Sequence, residues 1–327
     1  MTRFPTLLAA GALALFAGAA QAAEIKIAMN SVDDPETSGE ATFAHGFADA
    51  LEGTGFTVSI YPSETLGKEK ERLDQVSSGL LEVNLAAVST PYAISPLLKG
   101  VTLPFFFDST AQLDEILAQD GMMEKINAPL LDSGVRLVAV NYIGIPMGIH
   151  NAKKPISTVA DMADLRFRAL NPEQIDLMEA LGSNGTVVAW AEVANAIQTG
   201  VADGYFNPAS SAIRGGHTGF LVHFTPAELF PAARAILISD DWYNSLSEEE
   251  QGQIDAAIAA GVAANRKWLA DWTELVAERQ KELGVTVTPL AEGERDKMVE
   301  MSEPVRKTQL SAEDYQIWVD ARAATLK

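Results

Sequence analysis

The chain begins with an alternation of strand and helix patterns that restricts it to few folds. Residues 24–29 and 56–61 alternate polar and apolar side chains with the period of a β-strand, and residues 81–88 form a nearly continuous apolar run. Between the first two strands, Phe43 and Phe47 have helical spacing. Strand, helix, strand, helix, strand in this order indicates a parallel sheet with crossover helices. The sequence therefore predicts an α/β fold.

Two polar loops follow strands of this predicted sheet. Open sheets of parallel strands bind ligands just outside the carboxyl ends of their strands. The loops at residues 30–38 and 89–92 occupy such positions. They are therefore the first candidates for a ligand-binding site.

The later sequence repeats the same theme and adds one long helix. Residues 135–140 and 165–169 have strand patterns, and a helical pattern follows at residues 172–181. Ser247, followed by three Glu residues, opens an amphipathic pattern that continues to about Leu283. A chain of 327 residues exceeds the size at which single cores stop growing, roughly 250 to 300 residues. We therefore expect two lobes, with this helix spanning both.

The N-terminus has the three parts of a secretory signal peptide. Arg3 supplies the positive charge, residues 7–17 form a short apolar run, and Ala20-Gln21-Ala22 is a small-residue cleavage motif. The apolar run is too short to span a bilayer of about 30 Å comfortably. We expect cleavage after Ala22 and an exported protein, which in a bacterium with two membranes is periplasmic.

The net charge and the absence of several motifs limit the classes of function that are compatible with the sequence. A formal net charge of -20 argues against a nucleic-acid partner, because phosphate binding needs clustered Lys and Arg. The chain has no Cys, four His without metal-ligand spacing, and neither a GxSxG nucleophile motif nor a GxxxxGK[ST] phosphate loop. We therefore expect no metal and no cofactor, and a binding protein rather than an enzyme.

Two arginines mark a candidate anion site. Arg166 and Arg168 are two residues apart on the predicted strand 165–169, so both point to the same face of it. A guanidinium group binds a carboxylate or sulfonate through two parallel hydrogen bonds. At least one of the pair is therefore a candidate anion ligand. On the pattern alone, the alternative that both face solvent stays open.

The segment from Leu165 to Pro208 resembles the signature region of the DctP-type substrate-binding proteins of tripartite ATP-independent periplasmic (TRAP) transporters. It reads LRFRALNPEQIDLMEALGSNGTVVAWAEVANAIQTGVADGYFNP, where the family has roughly KIRVP, LGANP and AWxEVYxALQTGxVDGQENP in that order. Further matching segments in the family's order are AEIKIAMNSV, IYPSETLG, LPFFFDS and HNAKKPISTVADMADL. The resemblance thus covers essentially the whole chain after residue 22.

This resemblance implies a fold, a function and partners. The fold is α/β, of the two-lobed periplasmic-binding-protein type II kind, with a long helix bridging both lobes, and it closes around its ligand. The ligand is a small organic anion, a carboxylate or sulfonate, and the membrane partners are a small and a large integral permease subunit. We expect a monomer, with lobe I at residues 23–147 and about 233–272, and lobe II at residues 148–232 and about 273–327.

The resemblance also assigns site residues. The family's anion-clamping Arg falls on Arg168, its Asn on Asn207, its stacking aromatic on Trp190, and the polar position after the first strand on Asn30. Tyr205, with Phe206, replaces the family's Gln and Glu, which implies a more apolar wall. Further wall residues, placed by strand-end positions and family order, are Thr90, Tyr142 and Phe230.

One departure from the family concerns charge. A second basic residue that many members carry falls on Met147 or Gly148 here. Without that cation, a smaller or singly charged ligand is favoured, and Arg168 is the principal positive charge expected in the cleft. Two other functions remain open: a ligand-sensing module for a receptor, and an exported α/β hydrolase or lyase. The missing nucleophile and base argue against the second.

Overall fold

The computed structural model describes residues 23–326; the predicted signal peptide, residues 1–22, lies outside the described residues. The strands are β1 (Ala23–Ala28), β2 (Phe56–Tyr61), β3 (Val83–Ala87), β4 (Val135–Tyr142), β5 (Gly148–Asn151), β6 (Arg166–Ala169), β7 (Asn184–Val187), β8 (Gly204–Asn207), β9 (His223–Thr225), β10 (Ala233–Ser239) and β11 (Thr286–Val287). The α-helices are α1 (Gly39–Ala50), α2 (Glu69–Ser77), α3 (Thr110–Leu117), α4 (Met122–Leu131), α5 (Pro172–Ala180), α6 (Val193–Gln198), α7 (Ala209–Arg214), α8 (Asp240–Ser245), α9 (Glu248–Glu282), α10 (Glu294–Met301), α11 (Glu303–Thr308) and α12 (Ala312–Thr325). None of these helices is long and apolar enough to cross a membrane.

The first sheet has the strand order β2-β1-β3-β10-β4. β1 pairs in parallel with both β2 and β3, as the sequence pattern predicts, and every residue of β3 is buried. β10 is inserted antiparallel between β3 and β4, although it lies far along the chain. Apolar clusters cover both faces of this sheet. The predicted α/β class is confirmed, with a mixed rather than purely parallel sheet.

The second sheet has the strand order β11-β9-β5-β8-β6-β7. The chain enters it between β4 and β5 and returns to the first sheet between β9 and β10. The two crossing segments, residues 143–147 and 226–232, are hydrogen-bonded to each other. The Ile143 N–H donates to the Ala232 carbonyl at 2.9 Å, and the Met147 N–H donates to the Phe230 carbonyl at 2.9 Å. These two hydrogen-bonded segments connect the two lobes.

Helix α9 bridges the two lobes, as predicted. It runs for 35 residues from a capping box in which Ser247 and Glu250 satisfy each other's backbone N–H groups. Its first part packs Ile254 and Ile258 into the core of the first lobe, and a later part packs Trp272 against Phe224 of the second sheet. The helix therefore buries one apolar stripe against both lobes.

The C-terminal helix α12 packs on the first lobe, whereas the sequence division assigned residues 273–327 to the second. It contacts α3 and a 3-10 helix at Pro96–Thr102. Trp318 is fully buried there and donates its indole N–H to the Leu97 carbonyl at 2.9 Å. Gly100 leaves the room for that ring, because a Cβ at this position would overlap it. The chain thus crosses between the lobes once more than the sequence pattern indicated.

A buried amide on α9 joins three segments of the first lobe. Asn265 accepts a hydrogen bond from the Tyr142 N–H at 3.0 Å and donates to the carbonyls of Tyr142 and Gly39 at 2.8 and 3.0 Å. Gly39 opens α1 and has no space for a Cβ beside the Tyr142 carbonyl. The side chain of Asn265 therefore fixes α1, the end of β4 and the bridging helix together.

We predict that Asn265→Ala lowers the free energy of unfolding by about 2 to 4 kcal/mol, because it leaves buried backbone groups of Tyr142 without a partner. Urea unfolding followed by circular dichroism measures this. Lys267→Ala, an exposed change on the same helix, is the control and should alter stability by less than about 0.5 kcal/mol. Equal stability of the two variants would contradict the assigned role of Asn265.

Candidate ligand-binding site

A cavity of about 300 Å³ lies between the two lobes. Asn30 and Ala87 come from the ends of β1 and β3 in the first sheet, where the sequence places candidate loops. Arg168 and Asn207 come from β6 and β8 of the second sheet. The cavity therefore lies at strand ends of both lobes, where backbone and side-chain donors converge.

Arg168 presents a buried cation to this cavity. The side chain is 2% exposed, and its Nε donates to the Val188 carbonyl at 2.8 Å. Within residues 23–326 its Nη2 has no hydrogen-bond partner. Burial lowers the pKa of Arg168 to about 10, which leaves it protonated at neutral pH. Arg166 instead extends outwards to Asp203 and the Gly200 carbonyl, so only one of the two arginines faces inwards.

Asn207 and Trp190 stand beside Arg168. Asn207 ends β8 and is 8% exposed, and its Nδ2 has no partner among the described residues. The Trp190 ring is half-buried, and the Arg168 guanidinium carbon lies 5.9 Å from its centroid. Both residues line the cavity. Together they offer an unpaired amide donor and an aromatic face next to an unpaired cation.

Tyr205, predicted for the wall, lies behind it. It is fully buried and is not among the cavity-lining residues. Its hydroxyl is 3.2 Å from His217 Nδ1, and the His217 ring lies 5.1 Å from the Trp190 ring. His150 packs against the other side of Tyr205 at 5.1 Å. Tyr205 thus supports Trp190 from behind through a stack of rings.

The other three predicted wall residues are also outside this cavity. Thr90 donates its hydroxyl to Glu69 at 3.3 Å. Phe230 lines a smaller neighbouring cavity of about 30 Å³. Tyr142 is fully buried, with its hydroxyl donating to Asp114 at 2.9 Å and to the Thr110 carbonyl at 3.0 Å. A strand-end position sets where a residue lies along the sheet, but the face on which its side chain falls decides whether it reaches the cavity.

Asn30 lines the cavity but is held by neighbours on both sides. Its Nδ2 donates to Glu64 at 3.0 Å, and its Oδ1 accepts from Arg72. Burial, together with the charge of Glu69, raises the pKa of Glu64. The polar groups at this end of the cavity are therefore largely satisfied by one another.

Sequence reasoning missed the first-lobe cation Arg234. It stands on β10, and its guanidinium forms ion pairs with Glu40 at 2.8 Å and Glu69 at 3.0 Å. Burial alone would raise the pKa of Glu40, but the charges of Arg234 and Arg214 and a hydrogen bond from Ser31 lower it. Arg234 was not predicted because the antiparallel insertion of β10 into the first sheet has no local sequence signal.

Arg214 is a second residue that the sequence did not single out. It ends α7, the short helix that follows Asn207 and Pro208, and it lines the cavity. At the position of the family's second basic residue, Met147 lines the cavity and Gly148 packs against Phe224. The cavity thus has Arg168 where the resemblance assigned a cation, and it adds Arg214 and Arg234 at positions that the resemblance did not assign.

These observations define the class of protein. Two α/β lobes joined by paired crossings and a long helix enclose a cavity with unpaired buried donors, which is the architecture of a solute-binding protein. Residues 28–313 match the profile of the family described as bacterial extracellular solute-binding protein, family 7, also called DctP. The chain belongs to this family.

Individual relatives agree with this assignment. The ectoine/5-hydroxyectoine-binding periplasmic protein UehA of Ruegeria pomeroyi is 26% identical over 292 residues, covering 86% of this chain and 84% of that protein. The C4-dicarboxylate-binding periplasmic protein DctP of Rhodobacter capsulatus is 24% identical, with 78% and 76% covered. The crystal structure of the sugar acid binding protein DctPAm from Advenella mimigardefordensis with galactonate superposes with a TM-score of 0.85 at 23% identity, covering 92% and 98%. That structure shares the two-lobed fold.

The buried histidine behind the site makes stability depend on pH. Burial lowers the pKa of His150 from 6.5 to about 3, so the unfolded chain takes up a proton below pH 6.5 that the folded imidazole does not. Stability therefore falls as the pH drops from 7 to 5, by about 2 kcal/mol for one such histidine. We predict that in His150→Phe, which keeps a ring at this position, the free energy of unfolding falls by about 2 kcal/mol less between pH 7 and pH 5 than in the wild type. Urea unfolding of the wild type and of His150→Phe at pH 7 and pH 5 measures this. The prediction is refuted if both proteins lose the same free energy of unfolding between the two pH values.

Proposed function

We propose that this protein binds a small organic anion between its lobes and delivers it to a membrane permease. The observation that carries the proposal is a pair of buried donors without partners, Arg168 Nη2 and Asn207 Nδ2, on two residues that line one cavity. A buried donor without an acceptor costs about 1 to 3 kcal/mol, and a charged one costs more. An anionic ligand supplies the acceptors that the described residues do not.

Each side chain has a physical role in this proposal. The Arg168 guanidinium holds a carboxylate or sulfonate, and Asn207 donates to the same group. Trp190 covers the ligand body with its ring. A ligand that contacts both lobes binds the closed form more tightly than the open form, so it shifts the population towards closure.

The cavity favours a ligand with one acidic group. Glu64 and Glu69 line the same cavity as Arg168 and are less exposed than Lys68 and Lys70, which also line it. A second carboxylate placed against Glu64 and Glu69 would meet like charge. The relatives bind ligands as different as a C4-dicarboxylate, ectoine and galactonate by name, so the family alone does not set the ligand's charge. The volume of about 300 Å³ suits a small molecule.

Location and partners follow the family. We propose that cleavage after Ala22 releases a monomeric periplasmic protein that docks on a small and a large integral subunit. The ligand leaves chemically unchanged, because transport requires only binding and release. Purified protein incubated with its ligand should return it intact, as chromatography of the recovered ligand tests.

The site assignment predicts a specific loss of affinity. Arg168→Ala removes the charged donor and should lower the affinity for the best carboxylate or sulfonate at least about 100-fold. Isothermal titration calorimetry of purified protein with a panel of such anions measures it.

Arg166→Ala is the matched control, since this arginine is on the same strand but extends outwards to Asp203. It should retain the wild-type affinity. Full affinity in Arg168→Ala, or equal loss in both variants, would place the binding site elsewhere.

A further inference from the structure

Arg214 is a cation of the cavity without a protein partner. It lines the same cavity as Arg168, and its Nη1 is buried. Within residues 23–326 its guanidinium forms neither a hydrogen bond nor an ion pair, and Nη1 is among the buried atoms without a partner. Burial lowers the pKa of Arg214 by more than the charge of Glu40 raises it, and Glu40 is itself ion-paired with Arg234.

The first-lobe guanidinium groups near the cavity have partners. Arg234 is ion-paired with both Glu40 and Glu69. Arg72 donates to the Met29 carbonyl at 3.3 Å and to Asn30 Oδ1. Lys68 and Lys70 also line the cavity from the first lobe, but their side chains are exposed. Among the cavity-lining residues, the buried cationic nitrogens without a partner are Arg168 Nη2 and Arg214 Nη1, and both belong to the second lobe.

Arg168 and Arg214 are close enough to act on the same pair of side chains. Tyr205 and His217 contact each other at 3.2 Å. The pKa of His217 is lowered to about 4, first by burial and then by the charges of Arg214 and Arg168. Both arginines therefore line the cavity and act on the same histidine through their charge.

Positive side chains outnumber carboxylates around the cavity. Five cationic residues line it, against two carboxylates; they are Lys68, Lys70, Arg168, Arg214 and Arg234 against Glu64 and Glu69. Both carboxylates belong to the first lobe. An acidic group of a ligand therefore meets cations without like charge on the second-lobe wall.

We propose that Arg214 is the second cation of the anion site and that, with Arg168 and Asn207, it holds the single acidic group of the ligand. It fills the role for which positions 147 and 148 have no basic residue. The inference rests on the proposed function and adds to it a specificity-determining residue. It replaces the expectation that Arg168 is the principal positive charge of the cleft.

Two measurements on Arg214→Gln test this role. Affinity for the carboxylate that the wild-type protein binds best should fall about 10- to 100-fold, the effect of losing one charge-assisted hydrogen bond. The melting temperature of the ligand-free protein should stay equal or rise, because the change removes a partly buried charge whose Nη1 has no partner. If Arg214 had only a structural role, its replacement would lower the melting temperature of the ligand-free protein.

Arg279→Gln is the control with the same change of charge. Arg279 is exposed on α9 and contacts Glu282 at 3.2 Å, outside the cavity. The Arg279→Gln variant should bind the carboxylate with the affinity of the wild type. Arg214→Met, which keeps an unbranched, flexible side chain without the charge, repeats the test should the glutamine variant fold poorly.

The ligand probes are pairs that differ by one acidic group: galactonate and galactarate, and glycerate and tartronate. The member with one carboxylate should bind more tightly in each pair that binds. The inference is overturned if Arg214→Gln keeps wild-type affinity for each bound probe, or if both Arg214 variants melt several degrees lower without ligand. It is also overturned if the dicarboxylates bind more tightly.

The same experiment separates this inference from the proposed function. Loss of binding in Arg168→Ala with full binding in Arg214→Gln rejects only the role of Arg214. Full binding in Arg168→Ala rejects the proposed site. Binding of neither the probes nor any other anion of the panel to the wild-type protein rejects both.

Discussion

The two lobes meet around positive charges that lack counter-ions, and a buried charge without a counter-ion is unfavourable in free energy. In the first lobe, Arg234 is offset by Glu40 and Glu69, so its guanidinium has counter-ions without a ligand. In the second lobe, Arg168 and Arg214 remain without acidic partners among the described residues. An unpaired buried ion is unfavourable, and pairing it recovers part of that free energy. The free protein thus keeps in its second lobe a cost that an anion removes.

The scaffold holds these groups in place through four connections between the lobes. The paired crossings at residues 143–147 and 226–232 are two short segments. Helix α9 and the return of α12 to the first lobe are the other two. Asn265 fixes α9 to the end of β4, directly before the first crossing. In the second lobe, the ring stack behind Trp190 supports the cavity wall.

Local pattern predicted the features that depend on neighbouring residues. The alternating strands and the capping box at Ser247 gave β1 to β3 and α9, and the contiguous stretch from Arg168 to Asn207 placed three predicted residues at one cavity. Features that depend on distant pairing were missed, namely β10 with Arg234 and the docking of α12. Tyr142 shows a third limit, because its strand end was predicted correctly but its side chain faces α3 rather than the cavity. Tertiary packing decides whether a side chain is buried, and the period and spacing of apolar residues in the sequence do not determine that packing.

The acidity of the chain and the charge of its cavity act over different distances. A formal net charge of -20 describes the whole sequence, and most of it falls on exposed helix faces such as the start of α9. At physiological salt, exposed charges farther apart than about 8 Å are largely screened, whereas buried charges are screened much less. An anion inside the cavity therefore interacts mainly with Arg168, Arg214 and the few groups in contact with it. The negative charge of the whole chain is therefore compatible with a positive cavity lining.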